Sequence, residues 1–192
     1  MLSARLRIIT ATLVVVTSLT GCGALANPYE TTGPEDTARA AERLADLPSL
    51  ESTEADGQRI AEELGTYITG LAPRLAWEWV GNRRQRGCSQ PFDQTPAKNV
   101  KLRDYLALGP LPDRNRSEVL ERARELAAEV GATNTESFHD EPGNLDIRFY
   151  SNEGTALTLM IGDNTLIGID TGCRLPQAAF DPVTPNPPTP TP

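Results

Sequence analysis

Residues 145–170 read LDIRFY-SNEG-TALTLMI-GDN-T-LIGID, and this stretch decides the fold. Three apolar runs rich in β-branched and aromatic residues, Leu145 to Tyr150, Thr155 to Ile161 and Leu166 to Asp170, are separated by short polar segments. Ser151-Asn152-Glu153-Gly154 and Gly162-Asp163-Asn164 have the composition of hairpin turns, so the runs predict consecutive antiparallel strands. Immediately upstream, Thr133 to His139 predicts a further strand, turned by Asp140-Glu141-Pro142-Gly143-Asn144. The result is a four-stranded meander.

Before the meander the period changes. Val119, Leu120, Ala123, Leu126, Ala127 and Val130 recur at helical spacing, with Pro112-Asp113 opening the helix, Asp113 or Ser117 as its cap, and Gly131 closing it. Ile60, Leu64, Tyr67, Ile68 and Leu71 form a second such stripe over 54–71, where Thr53 and Asp56 resemble a capping box. A thinner stripe of Ala41, Leu44 and Leu47 predicts a short, loosely docked helix over 35–47, ended by Pro48. Leu75 to Val80 alternates, placing Leu75, Trp77 and Trp79 on one face, and Asn99 to Leu106 reads as one further strand. Between them, Gly81-Asn82 and Gly87 bracket an arginine-rich turn with Arg83, Arg84 and Arg86. Leaving that short helix aside, the order α, β, β, α, β, β, β, β predicts a two-layer α+β fold, an antiparallel sheet with helices packed on one face. One such domain would span 35–180.

The ends are of a different kind. Arg5 and Arg7 precede an uncharged apolar run from Ile8 to Leu19, the length of a signal-peptide core and too short for a membrane span. Leu19-Thr20-Gly21-Cys22 follows as a lipobox, in which Cys22 would accept a diacylglyceryl group after removal of 1–21. Residues 22–34 then form a tether without hydrophobic period, and 181–192, rich in proline and threonine, predict a disordered tail. The expected location is the extracytoplasmic face of the cell membrane, with the lipid on Cys22 as the membrane contact. With Cys22 assigned to the lipid, Cys88 and Cys173 remain, and in an oxidising compartment a disulfide between them is favoured over two free thiols.

The formal charge of −8, from 18 basic and 26 acidic residues, argues against nucleic acid as a partner. The sole histidine, His139, leaves too few ligands for zinc, and no glycine-rich phosphate loop is present, so no metal or other cofactor is expected. Ser137, His139 and Asp140 contain the residue types of a hydrolytic triad. Neighbours at i and i+2 on a strand stand side by side without a nucleophile turn, so no catalytic residue is assigned. The basic middle of the chain is the denser signal. Trp79 beside Arg83, Arg84 and Arg86 is the candidate ligand-binding group, since aromatics flanked by arginines can grip glycans or lipid headgroups. Trp77 is assigned to the core.

Together, the lipobox cysteine, a tryptophan-bearing strand before Cys88, a helix ending Val130-Gly131-Ala132-Thr133 and a meander closing on Thr171-Gly172-Cys173 resemble the LppA-like lipoproteins of mycobacteria and related actinobacteria. The resemblance covers roughly 60–175. It implies a membrane-anchored envelope domain with Cys88 and Cys173 as its disulfide, and it brings no catalytic residues. The residues favour a binding or assembly module for an envelope protein, lipid or glycan. The alternative is a metal-independent envelope hydrolase using carboxylates.

Overall fold

The central strand of the domain is its last. In the computed structural model, which describes residues 30–181, β8 (Asn164–Arg174) is flanked on one edge by β7 (Thr155–Ile161). The expected signal peptide, Cys22, most of the tether and nearly all of the proline-threonine tail lie outside the described residues. Beyond β7 the meander continues through β6 (Asn144–Tyr150) to β5 (Asn134–Glu141). The hairpin turns are tighter than expected, Pro142-Gly143 and Gly162-Asp163, because the strands run to the ends of their polar flanks. Gly143 sits at φ +71°, a conformation that suits glycine.

Before the meander lie β1 (Trp77–Val80), β2 (Arg84–Gly87), β3 (Lys98–Lys101) and β4 (Asp104–Leu108). The other edge of β8 is shared: its first half pairs with β4 and its second half with β3. The single strand expected over 99–106 is therefore two, broken at Leu102-Arg103, where the chain shifts from one half of β8 to the other. β1 extends the sheet beyond β4, and β2 extends it beyond β3. The segment expected as an arginine-rich turn is thus strand β2, exposed along its whole length. With neither face buried, it has no apolar alternation to announce it.

Two of the three α-helices among the described residues cover one face of this antiparallel sheet, giving the two-layer α+β arrangement. Leu145, Ile147 and Phe149 of β6, Leu157, Leu159 and Ile161 of β7, and Ile167 and Ile169 of β8 line up across the strands on that face, all buried. Upon them pack α2 (Leu50–Leu71), through Ile60, Leu64 and Ile68, and α3 (Arg116–Glu129), through Val119, Ala123, Leu126 and Ala127. Each large aliphatic side chain so buried contributes about 1.5–3 kcal/mol relative to leaving it in water.

The helix starts differ from expectation. α2 begins at Leu50, with Ser49 accepting from Ser52 N; Thr53 lies inside the helix and donates its hydroxyl to the Ser49 carbonyl. Neither Asp113 nor Ser117 caps α3, because a 3₁₀ turn over Asp113–Asn115 precedes it and Asp113 accepts from Gly143 N instead. α1 (Pro34–Ala45) is firmly docked: Ala40 and Leu44 are fully buried in a second cluster with Phe92, Ala97 and Leu175. Thr32, just ahead of α1, is fastened to Asp93 through its backbone N–H, at 3.2 Å, and its hydroxyl. The Cys88–Cys173 disulfide borders the same cluster, its Cα atoms 5.9 Å apart.

Candidate functional site

The polar flank of α2 and the β1–β2 connection enclose a groove of about 410 Å³. Its walls are Glu54, Ala55 and Gln58 from α2, Trp79 from β1, Arg83 from the connection, and Leu102 and Arg103 from the bend between β3 and β4. Alternation along β1 turns both Trp77 and Trp79 toward the helices, where they flank Tyr105 of β4 with ring centroids 5.1 and 4.6 Å away. Trp77 is the inner of the two and donates to Thr69 Oγ1 at 3.2 Å. Trp79 is half-buried, with its indole N–H 3.4 Å from Glu62 Oε1 and its carbonyl accepting from the Arg103 guanidinium. Burial, aided by the Glu62 charge, raises the Tyr105 hydroxyl above its ordinary pKa.

Arg83 clamps Glu54 with two hydrogen bonds of 2.6 Å, from Nε to Oε2 and from Nη2 to Oε1. This fork-to-fork geometry fixes both side chains as one wall of the groove. The hydrogen bonding raises the Arg83 pKa further. The groove lining contains one carboxylate, Glu54, and Arg83 occupies both its oxygens. Carboxylate hydrolysis of glycosides uses two such groups facing each other across the cleft.

Of the residues singled out in the sequence, Trp79 and Arg83 meet in this groove, whereas Arg84 and Arg86 do not. Successive side chains of a strand point to opposite faces. Arg84 and Arg86 therefore project from the face of β2 away from the helices, where Arg86 lies 3.7 Å from Asp170. Glu54, Gln58 and Arg103 were missed. Glu54, Gln58 and Glu62 form a polar stripe at i, i+4 and i+8, a readable signal, but nothing local says that it borders Trp79.

At Ser137–His139–Asp140 a bulge interrupts the β5–β6 register between Ser137 and His139, so the two do not share a face in regular alternation. Ser137 donates to the His139 carbonyl at 3.4 Å, and Asp140 pairs with Arg116. Among the described residues no group of three or more His, Cys, Asp or Glu side chains could hold a metal ion, and no helix is long and apolar enough to cross a membrane.

The fold and its bridge define a disulfide-tied two-layer α+β domain. The chain belongs to the LppA family, described as a lipoprotein confined to pathogenic Mycobacterium, whose model matches residues 25–177. The match takes in α1, which the resemblance drawn from the sequence leaves out. The crystal structure of LppA from Mycobacterium tuberculosis superposes with a TM-score of 0.62 at 17% identity, covering 80% of this chain and 95% of that one. A DUF4853 family protein from Actinomyces odontolyticus gives a TM-score of 0.44 at 15% identity, over 75% of this chain and 74% of that one. Among curated proteins, none matches the chain. Membership in a lipoprotein family points to the cell envelope.

Proposed function

We propose that the protein is held at the extracytoplasmic face of the cell membrane by a diacylglyceryl group on Cys22. There it presents its α+β domain as a binding module, with the Trp79 groove taking a hydroxyl-rich envelope ligand such as a glycan segment. The observation that carries this reading is the composition of the groove. A half-buried indole stands among Gln58, Arg83, Arg103 and Glu54, which bring amide, guanidinium and carboxylate groups to its border. An aromatic side chain offers a sugar a large, rigid apolar surface, while the surrounding polar groups fix its orientation. The lipobox, together with membership in a lipoprotein family, supports the anchor. A lipid with several acyl chains would make release from the membrane negligible.

The test has two arms. In cell fractions the wild-type chain should sediment with membranes and Cys22→Ser should not; a Cys22→Ser chain that stays membrane-bound would remove the anchor. Titration of the detergent-solubilised protein with N,N′-diacetylchitobiose and with maltose should alter tryptophan fluorescence for at least one of them. Trp79→Ala should weaken that binding by about tenfold or more, the scale of one well-packed aromatic contact. A flat titration with both sugars would overturn the glycan reading.

A further inference from the structure

Where α2 ends, a second groove of about 550 Å³ opens between the α2–β1 connection, the end of β4 and the loop that follows it. Small-molecule sites commonly measure about 300–1,000 Å³. Leu71, Leu75 and Leu108 line the groove together with Pro73, Pro110 and Pro112, and Leu108 stands 68% exposed at its lip. Ala72 and Gly109 complete the apolar surface; the remaining lining residues are Arg74 and Arg114. The walls are tied to one another. Leu75 N–H donates to the Ala72 carbonyl at 3.0 Å, and Asn115 Nδ2 donates to the Leu71 carbonyl at 3.2 Å. Gly109, at φ +111°, donates its N–H to Asn164 Oδ1, and its carbonyl accepts from Thr165 Oγ1, both at 3.1 Å. With three prolines of fixed φ among them, these walls form the groove before any ligand arrives.

The two guanidiniums set the chemistry. Arg74 and Arg114 are both exposed, and neither side chain makes a hydrogen bond or an ion pair among the described residues. In a chain of 26 acidic and 18 basic residues, two unpaired arginines border one groove whose lining holds no carboxylate. Each offers planar N–H donors that match a carboxylate. The end of α2 brings roughly half a negative charge to one wall, against two whole positive charges. No other polar side chain lines the groove, so whatever follows the anionic head of a ligand must be apolar. The groove also lies far from the point where the chain enters the domain. β8 runs from Asn164, at the groove, to Cys173, beside the cluster that holds α1, about 30 Å away at ~3.3 Å per residue. A free amphiphile therefore suits it better than the headgroups of the bilayer to which Cys22 would fasten the chain.

We propose that this groove binds a free fatty acid, with its carboxylate on Arg74 and Arg114 and its alkyl chain along Leu71, Leu75 and Leu108. The site shares no lining residue with the Trp79 groove, so each can fail without the other.

The probe is decanoate, titrated into the full-length protein in phosphatidylcholine nanodiscs while leucine methyl ¹H–¹³C resonances are recorded. The Leu108 signals are assigned by their loss in Leu108→Met, and the binding itself is read on the wild-type chain. Decanoate should move them saturably. Hexanoate should bind at least tenfold more weakly, since each buried methylene is worth up to about fourfold. Decyltrimethylammonium, which has the same chain and the opposite charge, should also bind at least tenfold more weakly. The double variant Arg74→Gln, Arg114→Gln alters only exposed, unpaired side chains and should weaken decanoate by about tenfold or more, as expected for loss of charged hydrogen bonds. The proposal is overturned if decanoate leaves the Leu108 signals in place, if decyltrimethylammonium moves them at equal concentration, or if the double variant binds decanoate as the wild type does. Other occupants would overturn it too. Leu108 signals that shift with protein concentration alone would assign the groove to a second copy, and signals that shift when phosphatidylglycerol replaces phosphatidylcholine, without decanoate, would assign it to the anionic bilayer.

Discussion

Gly57→Ala tests how closely α2 lies on the sheet. A methyl group at Gly57 would stand 2.6 Å from Ile169 Cγ2, 3.7 Å from Ile169 Cβ and 3.8 Å from Leu102 Cδ1. Carbon atoms in contact prefer about 3.5–4.0 Å, so the helix or the strand must give by roughly 1 Å. Ile169 is poorly placed to yield: it is 4% exposed, branched at Cβ, and set in the strand paired along both edges. Overpacking of this kind costs about 1–3 kcal/mol, while alanine regains about 1 kcal/mol of helix propensity over glycine. The net expectation is a loss of about 1 kcal/mol, with about 2 kcal/mol as the upper end. At about 2–4 °C per kcal/mol for a domain of this size, the melting temperature should fall by roughly 2–8 °C. Gly70, near the end of the same helix, has open space where an alanine methyl would sit, with nothing within 4 Å, and serves as the control. Gly70→Ala should melt at or slightly above the wild-type temperature. Thermal unfolding followed by far-ultraviolet circular dichroism, with the disulfide intact, compares the three proteins directly. If Gly57→Ala is as stable as Gly70→Ala, the close approach of α2 to β8 is wrong.

Two further outcomes follow from the second hydrophobic cluster and its surroundings. Reducing the Cys88–Cys173 bridge opens a loop with a sequence separation of 85, worth up to ~4.5 kcal/mol in the chain-entropy model, so the melting temperature should fall, by up to about 9–18 °C. Non-reduced peptide mapping should recover the linked pair; two alkylatable thiols in the native protein would count against it. The Thr32 hydroxyl, with Gln94, holds the Asp93 carboxyl below its ordinary pKa. Because the folded value is the lower one, this contribution is complete above the pKa of the unfolded chain and is lost as pH falls through the folded value. Carboxyl NMR titration should find Asp93 shifted upward in Thr32→Val, and an unchanged titration would mean that the Thr32 contact is not made in solution.

The parts of the fold that could be read from the sequence are those in which each strand announces its own turn. Thr155–Ile161 is found with its expected ends because Gly154 and Gly162 bound an apolar run, and the apolar face of α3 is buried as its spacing predicts. Strand β2 was illegible because Arg-Gln-Arg-Gly buries no face, and the break at Leu102-Arg103 because it depends on which half of β8 each segment joins. Ser49 was overlooked as the cap of α2, although a serine directly after Pro48 is a good helix start; Thr53 with Asp56 offered a competing pattern one turn later. The candidate site was half legible. Trp79 and Arg83 carry their chemistry in their identities, but the partner that fixes Arg83 lies 29 residues earlier in the chain.

The two-sided edge of β8 governs the order in which this domain can come into being. Until that strand is present, β1 with β4 and β2 with β3 are separate two-stranded ribbons, and such ribbons are at best marginal in water. β8 joins them to each other and to the meander, across 56 residues from Leu108 to Asn164 at the least. A growing chain therefore has no self-sufficient first half to fold while the second is being made. Contacts so distant in sequence carry a large entropic cost before they are rewarded, which delays the cooperative step to the end of synthesis. A cut or a stop codon anywhere before Arg174 would not trim the domain; it would leave the earlier strands with exposed, unpaired edges, the surfaces from which aggregation starts.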